Sequence, residues 1–599
     1  MPAHRATIPA TMIVVAFTLP LLVSKHTLPL ATFYGEWTAA VLAVMLVVAM
    51  AFASGTAAPA RDRKGYPWVA LLPVWLIVTT ILQAASGMAD ITGSRLTTQL
   101  VLALGGVLMC MAWRMGQSMS TDQRAGVVDA LAIAFLIAGL LGTLAQWVQV
   151  FHMEDQMFGL VSEYFYDTNR RLWGNLNQPN HQATVNGLAL VAAVWLATRG
   201  WLRFPSWLVA TVLLESGIVL TGSRTGLVHV GLAAVCALLA AWMARGTPRG
   251  AGSPMHRAPG LVAAALILVI GVVVLQPAIK MAGQVFDWRL FDTVQQLKSG
   301  NQISYRSALW AQALSMFRAH PLFGVGYGEF GWGQFQEAAH VRVVAEMSLH
   351  AHNAVLDLMA KTGLVGTIGA AVVLLAWLWR VVRDRVWLAT PSERAMTVPM
   401  LAWLAMLGAH SMLEYPLHYL YLFLPFCFLL AWLEPSGFGR ALPRPVLAAL
   451  GVVFVAASAA VLVTQWQDYR RVEAREYASE EHRDSLPMPR YWFRAHAESD
   501  AAEHVVITAT NAASLLPAHV SALHLLPTPT MIRRSAWLLA LTGEPARARL
   551  WMERLAFYYQ GDESAQFNAL VQDCDAMDAA HRPKEFCAWA KIRARQIHD

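Results

Sequence analysis

The chain has 599 residues, of which 56% are hydrophobic and only 14% charged, with a net charge of +7 and a mean hydropathy of +0.44. Soluble globular domains carry roughly 25% charged residues, so this composition excludes an ordinary soluble enzyme and points to a polytopic membrane protein. The positive charge does not mark a nucleic-acid binder, because most of the arginine excess lies in short connections between apolar runs, where it orients helices in a bilayer.

Apolar runs of about 17 or more residues recur through the first three quarters of the chain, each long enough to cross a bilayer. The predicted spans are 8–23, 36–54, 68–85, 96–113, 127–151, 181–198, 205–221 and 224–243. They continue with 260–276, 353–379, 396–412, 419–433 and 445–464, about thirteen helices by the hydropathy-window criterion. The first run, Ile8 to Val23, has the length of a signal peptide. No small-residue cleavage site follows it and a second span comes directly after, so a retained helix is expected. Alternate connections carry Arg61-Asp-Arg63-Lys64, Arg114 and Arg124, Arg199 and Arg203, and Arg245, Arg249 and Arg257. The series continues with Arg380, Arg383, Arg385 and Arg394, then Arg440 and Arg444. The positive-inside rule makes these cytoplasmic. The segments 24–35, 86–95, 152–180, 277–352, 413–418 and the tail from Gln465 then face the exterior or periplasm.

The tail is rich in Ala, Arg, Glu and His. Ile532–Leu541 and Pro545–Tyr559 show helical periodicity, and the segment from Ser535 reads as helix, glycine turn, helix, the unit of a tetratricopeptide-like hairpin. No clean repeat period is visible, so a soluble α-helical domain over 465–599 is expected, one that contacts a partner or braces the large loop. The fold class expected is all-α: a polytopic helical bundle over 1–464 with loops 152–180 and 277–352, followed by this domain. Of the five cysteines, Cys110, Cys236 and Cys427 lie in apolar runs and read as small buried hydrophobes. Cys574 and Cys587 lie in the tail, where an oxidising compartment permits a disulfide but spacing alone does not establish one.

Five polar stretches interrupt this pattern. The first is Arg171-Leu-Trp-Gly-Asn175-Leu-Asn177-Gln178-Pro179-Asn180-His181-Gln182. Asn180 reads as an N-cap and Pro179 as a turn residue. Asn175, Asn177 and Gln178 are left over, and amides beside an indole suit sugar hydroxyls. In the second, Leu220-Thr-Gly-Ser223-Arg224-Thr-Gly226, Arg224 lies at the outer boundary where positive-inside does not place it. It is either a snorkelling side chain or an anion clamp. The third runs from Tyr305-Arg306 to Phe330, with a helical pattern over Ser304–Phe317. Gly324, Gly326 and Gly328 follow as a turn, not a dinucleotide fingerprint, since no strand precedes them. Arg306 is a second candidate cation.

The fourth stretch is His350-Ala-His352-Asn353, followed by nine residues and then Gly363-Leu-Val-Gly366. An ionisable residue at a membrane boundary is a functional candidate, and imidazole is suited to moving a proton near neutral pH. The alternative is an interfacial His that caps a helix. A zinc site from His350, His352 and Glu346 lacks a completing ligand set, and no Walker motif supports ATP hydrolysis. The fifth stretch is His410-Ser-Met-Leu-Glu414-Tyr415-Pro-Leu-His418-Tyr419-Leu-Tyr421. It reads either as an aromatic interfacial belt or as a carboxylate and phenols that orient an acceptor or His352.

The His352-Asn353 pair with its Gly363 and Gly366 spacing, after a long outer loop, resembles the O-antigen ligase/polymerase (WaaL/Wzy) superfamily. Ser223-Arg224 and the Arg306–Phe330 stretch fit the same pattern, so the resemblance covers roughly 205–435. The Trp173-to-His181 loop and the helical tail further resemble the PglL-type bacterial protein O-oligosaccharyltransferases. The resemblance implies a glycosyltransferase of the bacterial inner membrane with its active site facing the periplasm. It would move a glycan en bloc from undecaprenyl diphosphate to Ser or Thr of exported proteins such as pilins. It implies His352 as base, Arg224 and Arg306 on the diphosphate, and Gln178 and Tyr415 (or Tyr419) as site residues. Asn175, Asn177, Asn180, His350, Asn353 and Glu414 are the further candidates for substrate contact. No metal or other cofactor is expected; the expected partners are the lipid-linked donor, the acceptor protein and membrane lipid, with no nucleic acid. Attack opposite the diphosphate is expected to invert the anomeric carbon, given a single base and no carboxylate pair. Competing readings are a ligase acting on lipid A-core, an O-antigen polymerase and, in a different class, a transporter of lipid-linked sugars. No paired broken helices, the mark of many transporters, are evident.

Overall fold

The computed structural model describes residues 2–54, 64–88, 90–165, 170–244, 258–291, 301–337, 347–483 and 485–598. Arg61, Arg63, Arg245, Arg249, Arg257 and Glu346, singled out above, lie outside the described residues, as do parts of loops 152–180 and 277–352.

Every predicted span is helical. Among the described residues, nine helices are long and apolar enough to cross a membrane, from Phe33–Ala53 to Pro445–Glu476. The other four predicted spans differ in a physical way. Ile8–Leu22 and Leu420–Leu433 are apolar but short. Pro179–Thr198 and Pro391–Ser411 are long enough but carry polar groups such as Asn180, His181, Gln182, Asn186 and His410. The Pro179–Thr198 helix tolerates them because Asn180–Ala197 is buried on every face, so its side chains meet protein rather than lipid. The large loop read from 277 begins in helix. The Ala258–Val285 helix runs through Pro277 for two further turns.

The chain divides into two compact units. The first comprises Met1–Val74, Val101–Ser299 and Ala371–Leu462. Its centre is the Pro179–Thr198 helix, packed against Thr121–Val150, Phe204–Thr221, Arg224–Ala244 and Pro391–Ser411. Small residues let these helices approach: a Cβ added at Gly139 would lie 2.5 Å from the Ala189 Cβ. Ion pairs tie helices together in this unit. Arg199 meets Asp129 at 3.1 Å, and Arg380 meets the fully buried Glu434 at 2.8 Å. One feature departs from the all-helical expectation. Lys64–Pro67 pairs antiparallel with Gly437–Arg440, in register Tyr66↔Phe438.

The second unit comprises Trp75–Leu100, Gly300–Ala370 and Val463–Asp599. The boundary read at 464/465 falls inside one continuous helix, Arg444–Glu476. Beyond it, after the short Glu480–Arg483 helix, come Arg494–His504, Ala512–Leu525, Pro529–Leu541, Pro545–Tyr558, Glu563–Ala576 and Lys584–His598. They enclose a core that includes Trp537, Trp551, Phe567 and Phe586. The predicted helix–turn–helix is present, with Gly543 turning at φ +93° between Pro529–Leu541 and Pro545–Tyr558. Cys574 is bonded to Cys587, which joins the last two helices. The short helix Phe330–Gln336 docks into the same core. Phe335 is buried within it, Trp332 stacks on His524 at 4.3 Å, and the Tyr558 hydroxyl donates to the Gln334 carbonyl. The tail thus braces part of the large loop.

The Ala354–Val381 helix is broken at Gly363 (φ 62°, ψ −159°). A break strands carbonyls before it and amides after it, and each needs a partner. The loop that follows Ala319 supplies them. Val325 and Gly326 donate to the carbonyls of Ala360 and Lys361, and Leu364 and Val365 donate to those of Pro321 and Leu322. Gln83 adds bonds to the Phe323 and Lys361 carbonyls, both 2.7 Å. The glycines read as a plain turn therefore have a second function, docking against a broken helix. Gly363→Ala is expected to cost about 1–3 kcal/mol from backbone strain, and more because the added Cβ would lie 2.4 Å from the Leu322 carbonyl. A lower thermal midpoint of the purified protein and faster proteolysis at 320–328 check this; wild-type behaviour in both assays contradicts it.

Candidate functional site

Two polar clusters are built from the singled-out residues, one in each unit. In the first unit, the loop before the Pro179–Thr198 helix is fastened by amides. Gln149 Nε2 donates to the carbonyls of Ser162 and Gly174 at 3.0 and 2.8 Å. Asn175 donates to the carbonyls of Leu22 and Leu160 and accepts from the Ser162 amide. Asn175 is thus engaged in holding the loop. Asn177 supplies a left-handed turn (φ 51°), a conformation Asn tolerates better than most side chains.

The predicted cap is displaced by two residues. Gln178, not Asn180, caps the helix, its side chain accepting from the Asn180 amide at 2.6 Å. Asn180 sits in the first turn as a hub. Its Oδ1 accepts from Arg171 at 2.9 Å and from the Ser223 hydroxyl at 2.7 Å. Its Nδ2 donates to Glu414 at 2.9 Å, and Gln178 Nε2 reaches the other Glu414 oxygen at 3.4 Å. Glu414 is only 7% exposed, so these amides replace the water that a carboxylate otherwise requires. Arg224 follows Ser223 directly and opens the Arg224–Ala244 helix. Tyr415 and Tyr419 stack with centroids 6.0 Å apart. Tyr419 also packs on His181 at 4.5 Å, whose Nδ1 is 2.9 Å from the Tyr421 hydroxyl.

In the second unit, His352 lies in a tight turn at φ 52°, half-buried. Its ring meets Tyr305 edge-on at 6.3 Å, and Arg306 is the next residue of the Asn301–Ala319 helix. Asn353 opens the Ala354–Val381 helix by accepting from the Val355 and Leu356 amides, both 3.1 Å. His350 Nδ1 is 2.7 Å from Lys361 Nζ, and Lys361 is 2.8 Å from Asp357. Removal from solvent, then the Asp357 carboxylate, push the Tyr327 phenol above its ordinary pKa.

Of the predicted site residues, Gln178, Asn180, Glu414, Arg224, Tyr415 and Tyr419 fall in the first unit with Asn175 and Asn177; Arg306, His350, His352 and Asn353 fall in the second. Sequence reasoning gave no role to Arg171, Ser223, Asp357 or Lys361. The last two carried a signal, an acid and a base four residues apart in an apolar run, which is the spacing of a helical ion pair. Asn180→Ala removes the partner of Arg171, Ser223 and Glu414 together. It is expected to cost about 2–3 kcal/mol through unsatisfied buried groups, read as a lower thermal midpoint; an unchanged midpoint contradicts the hub.

Comparison with known proteins adds to this geometry. Residues 207–371, which include Arg224, Arg306 and His352, match a family described as O-antigen ligase. Residues 172–197, which include Gln178 and Asn180, match one described as protein glycosylation ligase. Residues 398–573 match the C-terminal part of a virulence factor membrane-bound polymerase. A general O-oligosaccharyltransferase of Acinetobacter baylyi (strain ATCC 33305 / BD413 / ADP1) is 24% identical over 476 residues, covering 76% of this chain and 74% of that protein. Motifs and matches agree: this chain is similar to the PglL-type bacterial protein O-oligosaccharyltransferases of the O-antigen ligase/polymerase superfamily.

Proposed function

We propose that the protein is a glycosyltransferase that moves an oligosaccharide en bloc from undecaprenyl diphosphate to Ser or Thr hydroxyls of exported proteins such as pilins. It crosses the inner membrane about thirteen times, with its active site and helical tail in the periplasm. The observation that carries the reading is His352. A half-buried imidazole sits in a tight turn at a helix start, beside the Tyr305–Arg306 turn, within the segment matched to O-antigen ligases. The Cys574–Cys587 bond supports a tail outside the reducing cytosol.

In the proposed reaction His352 accepts the proton of the acceptor hydroxyl. The hydroxyl oxygen bonds to the anomeric carbon as the bond from that carbon to the phosphate oxygen breaks, with inversion. The electron pair leaves on the lipid diphosphate, whose developing charge Arg224 and Arg306 stabilise as fixed cations, without a metal. General-base help is worth about 10²–10⁴ in rate. Gln178, Asn180 and Glu414 line the sugar or acceptor, with Tyr415 or Tyr419, while Asn175 and Asn177 shape the loop that presents them. His350 and Asn353 flank the base. A second reading, extension of a lipid-linked glycan, is favoured by the polymerase match at 398–573.

His352→Ala is expected to abolish glycan transfer, read as the loss of an acceptor gel shift, while the protein still inserts; full transfer by that variant removes the mechanism. Arg306→Lys keeps the charge but loses the planar fork, and is expected to slow transfer about tenfold or more, toward the ~10²-fold cost of losing a transition-state donor. Transfer is expected to persist in excess chelator. Activity lost there and restored by a divalent cation would show that a metal shares the work assigned to the arginines.

A further inference from the structure

We infer that Asp357 and Lys361 form a positioning pair that sets the backbone and orientation of His352; the inference rests on the reading of His352 as the base. Both side chains project from the first two turns of the Ala354–Val381 helix. They are almost fully withdrawn from solvent, at 5% and 2% exposure, and lie 2.8 Å apart. Each also reaches the turn that carries the base. Asp357 Oδ1 accepts the Ala351 amide at 2.8 Å, and Lys361 Nζ reaches His350 Nδ1 at 2.7 Å. An ammonium has donors only, so Nδ1 is the acceptor and the His350 ring proton sits on Nε2.

Residues 350 and 351 are therefore tied to one ion pair. On the other side, Asn353 is fixed by its bonds to the Val355 and Leu356 amides. His352 lies between these anchors at φ 52°, a conformation that L side chains rarely adopt and that the surroundings must impose. The ammonium is itself seated over the rings of Tyr327 and Phe330, 5.9 and 5.6 Å from their centroids. Its backbone is fixed as well, because its carbonyl accepts from Gly326 and Gln83. Stability alone gives little reason for such a pair, since apolar residues of similar volume often replace buried ion pairs at no cost. Its bonds to the turn give a reason in function: a reacting group displaced by about 1 Å can lose up to ~10²-fold in rate.

The test is the full-length double variant Asp357→Leu/Lys361→Met, assayed with a lipid-linked glycan donor and an acceptor protein. It is expected to insert and to purify folded, with a melting temperature below wild type because the Ala351 amide loses its acceptor. Donor KM is expected to stay unchanged, with kcat lowered ~10- to ~100-fold. Wild-type kcat in the double variant overturns the inference, as does a rise in donor KM with kcat unchanged. Should the double variant fail to purify as a monodisperse protein, Lys361→Gln replaces it, and the same two outcomes decide. The underlying reading has its own control. Full transfer by His352→Ala overturns the base and this inference together. A dead His352→Ala with full kcat in the pair variants overturns the inference alone.

Discussion

A polar group withdrawn from water must find a partner in the protein, and both polar clusters of this chain answer that demand. The Glu414 carboxylate is met by two amides, and the nearer of them, Asn180, also takes Arg171 and Ser223. The Lys361 ammonium is met by Asp357 and His350. The broken helix at Gly363 is completed by backbone from residues 321–326. In each case a cluster of charged or unpaired groups next to apolar helices is kept in one arrangement, because every alternative leaves a buried group unpaired. Preorganisation of this kind is what charge stabilisation during glycan transfer requires.

The tail belongs to the same logic. Within the second unit, Tyr558 donates to the Gln334 carbonyl, and the Gln334 side chain accepts from the Ser348 amide at 2.8 Å. Ser348 Oγ in turn donates to the His350 carbonyl at 2.8 Å. A path of direct bonds therefore runs from a tail helix to the turn that carries His352. The domain expected from sequence to contact a partner or brace the large loop does brace part of that loop.

Much of this was legible in the sequence, for identifiable reasons. Hydropathy reports helices that face lipid, so all thirteen runs were found as helices. It is a poorer guide to which helices face protein, as the buried, polar Pro179–Thr198 helix illustrates. The His352-Asn353 motif could be read because its spacing is local. The roles of Asp357 and Lys361 could not, because the partners that give them meaning, Ala351 and His350, are revealed only once the turn folds back on the helix. The same limit explains the Asn180 hub, whose partners lie at positions 171, 223 and 414. It also explains Gly324, whose positive φ reads as a turn until the break at Gly363 is seen beside it.

The most direct measurement uses purified components: the protein in liposomes with an undecaprenyl-diphosphate oligosaccharide and a pilin-like acceptor, followed by intact mass spectrometry. The account predicts that the acceptor gains the mass of one whole oligosaccharide in a single step. An acceptor of unchanged mass, with the glycan instead lengthened on its lipid carrier or found on lipid A-core, would contradict it.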